Sequence, residues 1–104
     1  MALKELSAAE REAARSKALQ ARTARAALKE SFHSGRSTLE QVFTAADEDD
    51  AIGRMRTVDL LQTLQGVGEV RAAKIMDSCG ISPNRRLRGL GRRQREALIA
   101  YIGR

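Results

Sequence analysis

Tryptophan is absent from this 104-residue chain, and Phe32, Phe43 and Tyr101 are its only aromatic residues. The core must then be built from Leu, Ile, Val, Met and Ala, which makes it modest and helical, and few rings are left for stacking single-stranded bases. Cys79 is the single cysteine, so no disulfide can form within the chain. A reducing compartment fits, and the position of Cys79 among apolar residues near a helix end predicts a buried structural thiol. His33 is the single histidine and lacks partners for a metal site. No apolar run is long enough to span a bilayer, and Met1 to Leu6 is no signal peptide, so the expected place is the cytoplasm, without membrane contact.

Charge is present in excess and is segregated. The formal net charge is +6 and the pI near 10.4, which predicts attraction to a polyanion. Lys and Arg outnumber Asp and Glu by 8 to 4 over residues 1–36 and by 9 to 2 over residues 70–104, whereas residues 37–69 carry 2 against 7. Two basic ends therefore flank an acidic middle. The run Asp47-Glu48-Asp49-Asp50 lacks the spaced ligands and the glycine of a calcium loop, and reads as a solvated acidic turn that keeps a polyanion off this side.

The pattern predicts an all-α chain: a long N-terminal helix within residues 1–36, partly projecting, then a compact helical domain over 37–104. Ser7-Ala8-Ala9-Glu10 is a capping box, followed by about 25 residues without Gly or Pro that are rich in Ala, Arg, Leu, Lys, Glu and Gln. The outer apolar positions are mostly Ala, so little holds this helix to the domain before Leu28 and Phe32. Arg11, Arg15, Arg22, Arg25 and Lys29 share one face of it as a basic stripe. Gly35 ends the helix, and Ser37-Thr38-Leu39-Glu40 reads as a second box that opens a helix with Leu39, Val42 and Phe43 on its core face. Arg54 and Arg56 interrupt the acidity before Thr57, a predicted N-cap for a helix over 58–64.

Leu60 to Ile75 organises the remainder. Gly66-Val67-Gly68 predicts a tight turn in which Val67 points back between two short helices. The second helix starts beside the glycines with bare N–H groups, an anion site that Arg71 and Lys74 reinforce, and Ala72 lets the helices approach closely. Downstream, Ser82-Pro83 predicts a helical turn carrying Arg85, Arg86 and Arg88, where guanidinium forks suit phosphates or a narrow minor groove. Gly89-Leu90-Gly91 then echoes the first glycine turn and opens a last helix from Arg92 and Arg93 to Ile102, with Ala97, Leu98, Tyr101 and Ile102 as its apolar face. The echo is degenerate, because Arg95 stands where the first copy has Ala72.

Leu64, Gly66, Val67, Gly68, Ala72 and Ile75 resemble a helix-hairpin-helix motif, which in its family grips the DNA backbone without reading bases. The stretch from Leu60 to Tyr101 resembles helix-two-turns-helix domains, also found in a ribosomal small-subunit head protein. Over its full length, with MALKELSAAER, IGRMRTVDLLQTLQGVG and RRLRGLGRRQREAL as the matching segments, the chain resembles the actinobacterial integration host factor family. The resemblance implies a nucleoid-associated protein that binds and bends duplex DNA with little sequence preference, compacts it, and affects supercoiling and phage integration. Its partner would be double-stranded DNA, with no small-molecule substrate and no cofactor, although such hairpins sometimes hold a monovalent cation on turn carbonyls. The protein is expected to be a monomer in solution.

The implied contacts are Gly66, Val67, Gly68, Arg71, Lys74, Arg85, Arg86, Arg88, Arg92 and Arg93. A possible second contact comprises the stripe with Arg54 and Arg56. Glu69 departs from the family, where a Lys is expected, and a carboxylate there repels phosphate. Glycosylases with two-turns domains use an N-terminal proline followed by an acid, whereas this chain starts Met1-Ala2-Leu3, and no nucleophile and acid are paired, so catalysis is not expected. An RNA-binding or ribosome-associated role through the same domain stays open, since a shape reader of RNA helices would look similar.

Overall fold

The computed structural model describes residues 5–103 and contains six α-helices and one 3-10 turn. Met1 to Lys4, which make up most of the stretch read as no signal peptide, and Arg104 lie outside the described residues. Helix α1 spans Ala8–His33 and starts in the predicted capping box, with Ser7 Oγ accepting from Glu10 N and Glu10 Oε1 accepting from Ser7 N, both at 3.1 Å. At about 1.5 Å per residue it is roughly 39 Å long. Residues 8–20 are exposed, although Ala14, Lys17 and Ala18 face Asp50 and Arg54 across an open groove; burial begins at Ala21, continues through Ala24, Arg25 and Leu28, and is complete at Phe32. The radius of gyration, 16.0 Å, exceeds the ~13 Å of a compact chain of this length because the first half of α1 contributes no buried residue to the core.

Gly35 takes φ +83° and turns the chain into α2, Leu39–Glu48. Its cap is Thr38 with Gln41, one residue later than the predicted pairing of Ser37 with Glu40. The overlapping box is the one formed, and Leu39, Val42, Phe43 and Ala46 lie on one inward face of the helix that it opens. Asp49 caps the single turn of α3, Asp50–Gly53, and α4 follows as Thr57–Leu61. Thr57 is not the cap expected of it. Arg56 holds that position, and Thr57 lies inside the helix, fully buried, its Oγ1 without a hydrogen-bond partner among the described residues. The helix also ends earlier than 64, tapering through tight turns in which Thr63 N and Leu64 N bond to the carbonyls of Leu60 and Leu61.

Helix α5 spans Glu69–Ser78 and buries Ala72, Ile75 and Met76, with Cys79 capping its end. Burial pushes the Cys79 thiol above its ordinary range and keeps it neutral, which agrees with the structural role read from the sequence. The predicted helical turn at Ser82-Pro83 is replaced by a β-turn, an antiparallel bridge of Arg86 to Arg56, and a 3-10 turn over Leu87–Gly89. The bridge is stitched by Thr57 N to Arg85 O at 3.0 Å and Leu87 N to Met55 O at 2.9 Å. Extended pairing with a segment about thirty residues away wins over a local helix because it satisfies these backbone groups and buries Leu87.

The last helix, α6, is Arg92–Ile102. Gln94 joins its start to the end of α5, accepting from Gly91 N at 3.0 Å and donating to Gly80 O at 2.8 Å. Leu98 is its fully buried residue, with Ala97, Ile99 and Ile102 packed beside it, whereas Tyr101 is 56% exposed and leaves the apolar face assigned to it.

Candidate nucleic-acid interface

Gly66 takes φ +77°, a backbone state that L side chains rarely adopt, and reverses the chain between the two short helices. Val67 is half-buried against the core, as predicted, and Val67 N bonds to Leu64 O at 3.1 Å to close the turn. His33, the last residue of α1, fastens the same hairpin: its Nδ1 donates to the Thr63 carbonyl at 2.6 Å. The hairpin is therefore held from inside by Val67 and from outside by α1.

Gly68 is the N-cap of α5, and no side chain caps the helix there. The first N–H groups of α5 consequently face solvent beside the glycines, at the positive end of the helix dipole. Gly68, Glu69, Val70, Arg71 and Lys74 line one open depression at this point. Arg71 and Lys74 make no hydrogen bond or ion pair among the described residues. The depression thus offers backbone donors and two free cations, with Glu69 as the one opposing charge.

The arginine turn is bonded to the beginning of α4, at the other end of the hairpin's first arm from the glycines. Its three arginines differ. Arg85 has a side chain without a polar partner among the described residues. Arg86 Nη1 donates to the Arg54 carbonyl, and Arg88 turns inward to Asp50 and the Ala46 carbonyl. On α6, Arg93 is free among the described residues, while Arg92 Nε pairs with Glu96 at 3.1 Å across one turn.

The second predicted set is dispersed. Arg25 belongs to the packed side of α1 and donates to the Ala51 carbonyl at 3.4 Å. Arg11 donates to Leu6 O and Arg15 pairs with Glu12, whereas Arg22 and Lys29 have no polar partner among the described residues. Arg54 pairs with Asp50 at 3.1 Å, and Arg56 donates to Asn84 Oδ1 at 3.3 Å.

The pairing of two acidic groups that shape this surface is not announced by the sequence around them. Asp47 and Asp50, read there as a solvated turn, bind arginines from the far end of the chain. Arg95 donates to both carboxylate oxygens of Asp47, each at 2.8 Å, lies 5.2 Å from the centroid of the Phe43 ring, and donates to Leu90 O at 3.1 Å. This fork holds the Asp47 carboxyl below its ordinary range, with the charge of Arg88 adding a little. Arg95, the mismatch of the glycine echo, is thus a structural anchor. Only the presence of an unpaired acidic run and an out-of-pattern arginine hinted at it, and their separation of 48 residues concealed the pairing.

Among the described residues no group of His, Cys, Asp and Glu side chains could hold a metal ion, and no helix is long and apolar enough to cross a membrane. Residues 25–102 match the family of the S13-like H2TH domain. The chain is 48% identical to the integration host factor of Mycolicibacterium smegmatis over 95% of its own length and 94% of the relative's. It is 47% identical to that of Mycobacterium tuberculosis over 99% and 98%, and 44% identical to that of Streptomyces coelicolor over 99% and 96%. A solved structure of sIHF bound to an 8-base-pair palindromic DNA superimposes with a TM-score of 0.80 at 42% identity, covering 85% of this chain and 99% of the other. On the match of residues 25–102 to the domain family and on relatives 44–48% identical over nearly the whole chain, this chain belongs to the integration host factor family built on the S13-like H2TH domain.

Proposed function

We propose that this protein binds duplex DNA in the nucleoid through the phosphate backbone and minor groove, with little preference for sequence. The observation that carries the reading is the uncapped start of α5, where backbone N–H groups meet Arg71 and Lys74, whose side chains have no partner among the described residues. Such a depression takes a phosphate and has no means of reading a base edge. Arg85 and Arg93, both free among the described residues, supply further contacts to the groove or the opposite strand, and Arg86, Arg88 and Arg92 complete the basic surface. The DNA-bound relative of the same fold supports the choice of polyanion.

Contacts at the glycine turn and at the arginine turn sit on one rigid block, so DNA that satisfies both is bent. Compaction follows if Arg22 and Lys29 on α1, with Arg11, Arg15, Arg54 and Arg56, touch a second duplex. Supercoiling, phage integration and transcription would respond to the bend. The protein works as a monomer and without a cofactor, and the reading assigns it no catalytic step.

The test is a salt titration of binding to a short random-sequence duplex. Wild type should show a steep fall of affinity with salt, and Arg71→Ala/Lys74→Ala should flatten the slope by about 2, close to 0.9 for each phosphate that is no longer neutralised. The S13-like character of the domain supports a second reading, duplex RNA. Equal-length duplex RNA competing as well as DNA would favour that reading, and a slope unchanged in the double variant would move the site away from α5.

A further inference from the structure

The hairpin that leads into α5 has few bonds of its own. Over residues 62–68 the backbone donors that find acceptors are those of Gln62, Thr63, Leu64 and Val67, bonded at 3.1 Å to the carbonyls of Val58, Leu60, Leu61 and Leu64. The N–H groups of Gly66, Gly68, Glu69 and Val70 have no acceptor among the described residues, and they are the donors that a phosphate would take. Their direction depends on the arm that precedes them.

His33 reaches this arm from the end of α1. A carbonyl only accepts, so the proton of the 2.6 Å bond to Thr63 O is on Nδ1. No backbone N–H bonds to the Thr63 carbonyl among the described residues, and without His33 it is left at the tapering end of α4. The base from which His33 reaches is firm. Phe32 beside it is fully buried, and Ser34 N and Arg36 N bond back to the Glu30 and Ser31 carbonyls, each at 2.9 Å. Residues 60–68 contain no charged side chain, so the arm has no ion pair that would replace the bond.

Two effects would let His33 act on a polyanion. Its side chain is exposed, so as an imidazolium it attracts phosphate directly. As a donor it holds the arm, and with it the glycine turn, so that less order is lost on binding. The first effect needs the cation, because a neutral ring that donates through Nδ1 has only an acceptor at Nε2, which cannot bond a phosphate oxygen. The second operates in both charge states. At about pH 8.5, above the range in which imidazole changes charge, it is the one that remains. We infer that His33 is a positioning residue for the phosphate site at the start of α5, acting through the Thr63 carbonyl. The inference rests on the duplex-DNA reading above.

The experiment measures affinity for a random-sequence duplex at about pH 8.5 across a salt series. It compares wild type with His33→Ala, His33→Asn and His33→Gln, each shown by circular dichroism to be folded at the working temperature. The asparagine amide nitrogen takes the place of Nδ1, whereas that of glutamine takes the place of Nε2. His33→Ala and His33→Gln should therefore weaken binding by roughly three- to fivefold, as expected when one neutral hydrogen bond is removed, and His33→Asn should stay within about twofold of wild type. The salt slope should be the same in all four proteins, since no phosphate charge loses its partner. In an Arg71→Ala/Lys74→Ala background, His33→Ala should weaken binding less than it does alone, because both changes act on one site.

Wild-type affinity in His33→Ala, a loss in His33→Asn as large as in His33→Ala, or a slope reduced by about 0.9 in His33→Ala would overturn the inference. So would full additivity with Arg71→Ala/Lys74→Ala. Should His33→Ala fail to fold, the comparison of asparagine with glutamine decides alone: glutamine binding as tightly as asparagine refutes the tether. A wild-type protein that does not bind duplex DNA at all refutes the proposed function, a result distinct from any difference among the variants.

Discussion

At Thr57 a hydroxyl sits fully buried without a partner among the described residues, inside a helix whose cap position is taken by Arg56. Replacing it by valine removes a buried polar group that returns nothing, so Thr57→Val should raise stability by about 0.5–1.5 kcal/mol in denaturant melts. Had Thr57 been the N-cap, the same change would lower stability by about 1 kcal/mol. The sign alone decides between the two. Glu69 gives a second residue whose two effects differ in sign. It is the first residue of α5, where a carboxylate favours the helix dipole by about 0.3–1 kcal/mol, yet it lies in the depression that phosphate would occupy. Glu69→Gln should therefore tighten duplex binding by about two- to fivefold while slightly lowering the melting temperature, one repulsion being exchanged for a weaker helix start.

Helix α1 contains two regimes within one element. Ser7→Ala removes a cap that holds only exposed turns, so amide exchange over residues 8–20 should accelerate while the global melting temperature stays within about 2 °C of wild type. Phe32→Ala, at the other end, empties a fully buried site and should cost about 3–5 kcal/mol. This division is legible in the sequence, because Ala-rich turns that precede Leu28 offer little to bury. The glycine hairpin is legible too, as φ > 0 at Gly66 and the inward turn of Val67 follow from local chemistry. The box at Ser37 is displaced by one residue because Thr38 and Gln41 form an overlapping box, which the two-letter pattern cannot tell from the first. The segment after Gly80 departs further from its local pattern. Ser-Pro is a local helix signal, but the bridge from Arg86 to Arg56 is a non-local pairing that no local pattern announces. For the same reason the candidate site is readable as a set of residue types, while the partners of Arg86, Arg88 and Arg25 are not.

The whole molecule is closed by charges rather than by rings. With Phe43 as the only aromatic on α2, the contact between α2 and α6 relies on Arg95, which covers that ring and takes both oxygens of Asp47. The consequence is a dependence of stability on pH that a purely apolar contact would lack. The Asp47 carboxyl is held below its ordinary range chiefly by the Arg95 bonds, so in the folded state it binds a proton less readily than in the unfolded chain. Its contribution is then complete above the unfolded-state value of about 3.9 and is lost as pH falls through the lower folded-state value. Glu10 is shifted the same way by its bonds to Ser7, but it caps only exposed turns of α1 and should add little to global unfolding. Denaturant melts from about pH 6 to about pH 2.5 should show wild type losing stability below about pH 4, with Asp47→Asn less stable at the upper end and flatter below it. If both proteins lose stability in parallel down to the lowest pH, the acid sensitivity lies elsewhere, and the closure of α6 on α2 rests on Leu90, Leu98 and Phe43 alone.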